Sequence, residues 1–330
     1  MLHITIIVPG SLPVTLYGGT QRVAWDLGRA LSRMGHRVCF LADRVDGTCS
    51  FAEVRRLDPT LSLAAQLPEG TELVHFQDHV VDGEKLRVPY VVTINGNTPS
   101  YPLDTNSIFV SRNHAQRHGS ESYVYNGLDW NELPPIDLMQ PRRSYHFLGK
   151  AAWSVKNVRG AINVVCRLPD GRLTVLGGYR LNLKMGFRLT LSPRVRFYGM
   201  VDDATKYAVM QQSQGLIFPV TWHEPFGLAV IESLYAGCPV FATPYGDLPE
   251  LVADASLGFL TASASEMVEH LSNAPVYDPR HCHEYARETF SAEVMAKAYL
   301  TKYEQVLGGQ VLNPSFGPTQ SQYRDLPWRS

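Results

Sequence analysis

The sequence predicts an α/β chain built from two doubly wound domains. Three observations point there. Short runs rich in Val, Ile, Phe and Tyr alternate with stretches of helical period. A Pro-rich, aperiodic segment, LPPIDLMQPRR (133–143), interrupts the alternation, which then restarts. And 330 residues suffice for two domains of roughly 100–200 residues each.

The elements follow in order. ITIIVP (4–9) reads as the first strand. The helix after it, from about Thr20 to Met34, sets Val23, Leu27, Ala30, Leu31 and Met34 on one stripe, and Gly35 ends it. HRVCFLA (36–42), ELVHFQ (72–77), YVVTIN (90–95), SIFVS (107–111) and SYVYNG (122–127) continue as strands. After the break come YHFLGK (145–150), RLTVLGG (172–178), RVRFYG (194–199), GLIFPV (215–220) and CPVFAT (238–243). Continuous apolar runs of this kind belong to parallel strands covered on both faces. Helices are expected at about 226–236 and 291–307. Arg180, Lys184 and Arg188 fall every four residues, as on a solvated helix face. The predicted domains are 1–140 and 141–307, with a tail at 308–330 that packs back on the first domain.

Composition narrows the function. Hydrophobic residues make up 45% and charged residues 18%, as in ordinary globular proteins, and the net charge of −1 argues against a nucleic-acid partner. Residues 1–140 carry 11 basic and 15 acidic side chains (net −4). Residues 141–330 carry 19 and 16 (net +3), a balance suited to an anionic ligand. Five cysteines without a C-x-x-C pair form neither a disulfide framework nor a zinc site and fit a reducing cytoplasm. MLHITIIVPG reads as a strand rather than a leader. No apolar run approaches the ~20 residues of a membrane span.

The chemistry concentrates in WHEPFGLAVIESLYAGCPVFATPYGDLPEL (222–251). Two carboxylates, Glu224 and Glu232, stand in an otherwise apolar run. Pro225 suits a helix start, and Gly237 a helix stop. Glu224 then precedes the helix and Glu232 lies in its second turn. A helix N-terminus offers free N–H groups to an anion, while carboxylates can hold sugar hydroxyls or a vicinal diol.

This stretch, read as EPFGLAVIE, YAGCPVFAT and YGDLPEL, resembles the signature of retaining family 4 glycosyltransferases (glycosyl transferases group 1). Four further motifs agree in order: YGGTQRVAWDLGRALSRMGHRV, VVTING, YNGLD (125–129), and FLGK (147–150) with Lys156. The resemblance covers about residues 4–260. It implies a GT-B fold, two Rossmann-like doubly wound domains facing a central cleft. It also implies an enzyme that moves a sugar from a nucleotide-diphosphate donor, UDP by family frequency, to an acceptor hydroxyl in cell-envelope or glycoconjugate synthesis.

The resemblance assigns roles residue by residue. Gly18 and Gly19 receive a phosphate on backbone amides. Lys150 and Lys156 clamp the donor diphosphate, with Lys150 standing where the family has Arg. Glu224 lies near the transferred sugar and Glu232 holds the ribose. Phe226, Gly227 and Leu228 offer backbone amides. Asn95 replaces the family's active-site His and cannot carry a proton. Glu224, Asn95 and Lys156 are the expected catalytic group, and His75 and His79 line the acceptor side. No metal and no cofactor beyond the nucleotide sugar is expected. The expected place is the cytoplasm, with weak peripheral contact at the inner membrane face through the basic SRNHAQRHG (111–119). Two alternatives follow from the Asn95 departure and the shared fold: a non-catalytic nucleotide-sugar binder and a sugar phosphorylase.

Overall fold

The computed structural model describes residues 1–14, 18–80, 86–97, 102–183, 185, 187–273, 275–319 and 322–330. The chain divides into two units, and each draws on more than one stretch of sequence. The first holds Met1–Trp130 and Phe290–Gln320, the second Asn131–Thr289 and Ser321–Ser330.

In the first unit the elements run β1 (His3–Leu12), α1 (Gly19–Arg33), β2 (Arg37–Val45), β3 (Glu53–Arg56), α2 (Leu63–Gln66), β4 (Leu73–Gln77), β5 (Tyr90–Ile94), β6 (Ser107–Phe109) and α3 (Arg112–Arg117). All strands pair in parallel, in the order β3-β2-β1-β4-β5-β6. The apolar runs of β1 and β4 are buried almost throughout, as two-sided cover demands. Helix α1 buries Val23, Leu27, Ala30 and Leu31 along one stripe, and Gly35 at φ +88° follows its end.

The second unit contains β7 (Ser144–Leu148), α4 (Val158–Arg167), β8 (Leu173–Leu176), β9 (Leu181–Asn182), β10 (Arg188–Leu189), β11 (Val195–Phe197), α5 (Asp203–Met210), β12 (Ser213–Phe218), α6 (Leu228–Tyr235), β13 (Val240–Ala242), α7 (Leu248–Leu251), β14 (Gly258–Leu260), α8 (Ala264–Ser272) and α9 (Pro279–Thr289). Its parallel sheet has the order β11-β8-β7-β12-β13-β14. Counted from its own first strand, this is the 3-2-1-4-5-6 order of the first unit. Ligands of such sheets bind beyond the carboxyl ends of the strands where the order reverses, here between β7 and β12.

The last helix, α10 (Ala292–Leu307), corrects the predicted boundary at 307, because it belongs to the first unit. Its Tyr299 and Tyr303 hydroxyls bond Thr93 Oγ1 (2.8 Å) and His75 Nδ1 (2.7 Å) inside the β4–β5 core. The NGLD turn meets the start of α10. Gly127 lies so close to Ser291 that a Cβ would stand 2.3 Å from its carbonyl oxygen. The tail beyond α10 serves both units. Asn313 Nδ2 donates to the Thr105 and Ser107 carbonyls, and Gly317 N to Gly119 O. Residues 322–330 instead run along the second unit, where Leu326 N donates to Thr221 O and Arg329 N to Ala262 O (both 2.9 Å).

Two local expectations fail. SYVYNG forms a single bridge, Phe109 to Tyr123, rather than a strand. Arg180 and Arg188 lie on the antiparallel β9–β10 hairpin, not on a helix, and Lys184 falls outside the described residues. In SRNHAQRHG, α3 buries His114 and Arg117, and Arg117 Nη2 donates to Asn97 Oδ1 (2.8 Å), while Arg112 is exposed.

Candidate active site

The loop after β7 and the loop after β12 leave adjacent strands at the point where the order reverses. The first carries Lys150 and, in a 3-10 turn (Ser154–Lys156), Lys156. The second carries Trp222 and Glu224 and leads into α6. Nζ of Lys156 donates to both carboxylate oxygens of Glu224, at 2.8 and 2.6 Å. Trp222 Nε1 adds a third bond to Glu224 Oε2 (2.7 Å). The Lys156 ammonium also lies 4.9 Å from the Trp222 ring centroid and 5.1 Å from that of Phe218. Glu224 is buried, so its charge depends on this pairing. Lys150 is exposed and stacks over Trp153 at 5.5 Å.

Phe226 is buried, Gly227 caps α6 and Leu228 opens it. Pro225 stands ahead of the helix rather than at its first position, contrary to the reading from sequence. Gly227 N donates to Asp247 Oδ2 (3.1 Å), so one amide that the sequence reading reserved for a donor already has an acceptor. Asp247 is fully buried and its Oδ1 has no protein partner. Burial, with the nearby Glu224 charge, holds its carboxyl well above the usual range. Gly246 precedes it at φ +69°, where a Cβ would meet the Glu224 backbone at 2.2 Å.

Glu232 is buried on α6 and takes an ion pair from Lys206, which also contacts Asp203 at 2.8 Å. Lys206 was not legible as a site residue. One lysine in DDATKYAVM looks like any helix-face charge, and only the fold sets α5 beside α6 at this point.

The first unit holds the other expected residues. Gly18 caps α1 and Gly19 begins it, behind a segment outside the described residues. Asn95 follows β5, with Nδ2 3.4 Å from Gln77 Oε1. Gln77 in turn meets His75. His75 itself is a core residue, which corrects its assignment to the acceptor side. It is fully buried, both ring nitrogens are hydrogen-bonded, and burial pushes its pKa down to about 3. His79 is exposed, with Nδ1 3.5 Å from Asp78 Oδ2. Among the described residues no group of three or more His, Cys, Asp or Glu side chains converges as a metal site.

The glycosyl transferases group 1 family matches residues 142–274, the span that holds Lys150, Lys156, Glu224, Asp247 and Glu232. The likeness is of this segment to that family's model. A phosphatidyl-myo-inositol mannosyltransferase of Mycobacterium tuberculosis (strain CDC 1551 / Oshkosh) is 32% identical over 29% of this chain and 26% of its own. The chain spans 26–32% of the first curated relatives it matches. AviGT4, a glycosyltransferase involved in avilamycin A biosynthesis, superposes with a TM-score of 0.78 over 95% of this chain and all of its own, at 17% identity. Anabaena Alr3699/HepE, solved with UDP and glucose, gives 0.65 over 92% of this chain and all of its own, at 16% identity. At these identities the likeness establishes the fold alone, GT-B.

Proposed function

We propose that the chain is a retaining glycosyltransferase that uses a nucleotide-diphosphate sugar, with UDP as the carrier, and transfers the sugar to an acceptor hydroxyl in glycan synthesis. The observation that carries this reading is the Lys156–Glu224 pair at the switch point of the second sheet, with Glu232 one helix turn further in. An apolar site can keep such charges only if they answer each other or a ligand. An incoming diphosphate competes for Lys156 and Lys150, and Glu224 turns to hydroxyls of the sugar. Glu232 takes the ribose diol. Asn95 contributes hydrogen bonds but no proton.

In the step proposed, the bond from the anomeric carbon to the diphosphate oxygen breaks. A bond to the acceptor oxygen forms on the same face, and the departing phosphate takes the acceptor proton. The lysines stabilise the charge that gathers on the leaving group. No metal or additional cofactor is assigned a part. The reading places the enzyme in the cytoplasm, working on a sugar, lipid-linked glycan or small-molecule acceptor. UDP as the carrier is supported by the UDP and glucose named in the HepE complex.

The test is donor hydrolysis with UDP-, GDP- and dTDP-sugars, beside a thermal-shift screen, since a ligand that binds only the folded chain raises its melting temperature. Turnover of a UDP-sugar supports the reading. A melting shift without turnover under any acceptor would favour the non-catalytic binder suggested by Asn95. Neither shift nor turnover with any nucleotide sugar would end it.

A further inference from the structure

The crossover between the parallel neighbours β8 and β11 is the β9–β10 hairpin, where a doubly wound sheet ordinarily places a helix. Its faces are reversed. From Tyr179 to Leu191 every odd position is apolar and every even one is polar or glycine. Where the ribbon is paired the register keeps the two sets apart, with Asn182 opposite Arg188 and Leu181 opposite Leu189. The arginines at even positions fasten the segment to itself and to β11. Buried Arg188 donates to the Tyr179 carbonyl (2.8 Å) and Thr190 Oγ1 (3.1 Å). Arg180 donates to the carbonyls of Thr190 and Ser192 (both 3.1 Å) and Val195 (2.6 Å). The odd face is left to solvent. Leu181, Leu183, Met185, Phe187, Leu189 and Leu191 are all exposed, Leu183 at 68% and Leu191 at 80%. Leu181 and Leu189 are register partners across the ribbon.

Six exposed apolar side chains gathered on one short hairpin mark a contact surface. The stretch of sequence that contains it is basic. Residues 150–200 contain ten Lys or Arg and one acid, Asp170. Arg159, which donates to the Phe187 carbonyl, is exposed, as are Arg194 and Arg196 just after the hairpin. We infer that the hairpin docks on an anionic lipid bilayer. The odd side chains enter the headgroup boundary while the guanidinium groups meet lipid phosphates. A second copy of the chain fits poorly, because it would bring an equally basic segment against this one. The inference stands apart from the proposed reaction and differs from the expected contact through 111–119.

Sedimentation of the full chain with vesicles tests it. Binding to phosphatidylethanolamine/phosphatidylglycerol vesicles should exceed binding to phosphatidylcholine by about tenfold and weaken with added salt. The double variant Leu183→Ser/Phe187→Ser should lower anionic-vesicle binding about tenfold, with melting temperature and nucleotide-sugar binding unchanged. Arg194→Gln/Arg196→Gln should lower it severalfold. Three results would overturn the inference: no sedimentation with either lipid, binding indifferent to Leu183→Ser/Phe187→Ser, or a concentration-dependent dimer that the same pair of substitutions dissolves.

Discussion

One ammonium group, that of Lys156, answers both oxygens of the buried Glu224 carboxylate, at 2.8 and 2.6 Å. Removing one partner of such a pair strands the other. Lys156→Met should lower stability by about 3–5 kcal/mol, and adding Glu224→Gln should restore part of it. Denaturant unfolding of the two single variants and the double variant closes the cycle. Equal and additive losses would contradict the coupling. Turnover should vanish in all three.

Asp247 separates charge from shape. Burial and the nearby Glu224 charge hold its carboxyl well above the usual range, and Oδ2 accepts from Gly227 N. Asp247→Asn keeps the acceptor and should cost less than about 1 kcal/mol at neutral pH. Asp247→Ala abandons the Gly227 amide and should cost about 1–3 kcal/mol. Melting curves distinguish them, and equal losses would contradict the Gly227 bond as what the side chain supplies.

Glu232 should matter to the donor and not to the acceptor. Glu232→Gln should raise the KM for the nucleotide sugar at least about tenfold, roughly 1.4 kcal/mol of binding, while the acceptor KM holds steady. Lys206→Met should destabilise the chain, because Glu232 is buried and loses an ion-pair partner. Initial rates and thermal unfolding read the two effects independently.

Gly246→Ala probes the backbone alone. A methyl group at φ +69° would sit 2.2 Å from the Glu224 backbone, so the Glu224 loop must shift. Turnover should fall well over tenfold, as expected when a positioned group moves by about 1 Å. Unchanged kinetics would show that the loop tolerates the displacement.

Acid should destabilise the fold below about pH 6.5. Burial depresses His75 and His146 to about 3 and His118 to about 4. Below the unfolded value the unfolded chain binds more protons at these sites. Their contribution is therefore intact above that pH and lost as pH falls toward the folded values. Asp26, raised to about 6, acts oppositely, since its contribution is present at low pH and lost as pH rises through 6. Asp247 acts in the same direction as Asp26. The histidines are more numerous, and His114 joins them. The melting temperature should drop between pH 7.5 and pH 5, and a flat profile there would reject this balance.

Much of this was legible because the core strands are short, apolar and regularly spaced. ITIIVP, YVVTIN and GLIFPV declare buried parallel strands by themselves. The Glu224–Glu232 pair stood out because carboxylates are rare in such company. Other features depend on contacts between distant segments. His75 reads as a strand-end histidine until Tyr303, 228 residues away, satisfies its ring. Lys206 and Asp247 gain meaning only from where α5 and β13 set them. The hairpin was misread because a four-residue spacing of basic residues satisfies period 3.6 and period 2 alike. The strict alternation of its apolar neighbours favoured a strand.

The interleaving of the two units has a consequence during synthesis. The first unit's sheet is complete once Phe109 has left the ribosome, but the hydroxyls that close around His75 and Thr93 arrive with α10, some 190 residues later. Until then His75 Nδ1 lacks the Tyr303 hydroxyl and Thr93 Oγ1 lacks that of Tyr299, and the amino-terminal half waits, partly formed, for its carboxyl-terminal helix. A gene cut anywhere between the units would leave that half permanently unfinished.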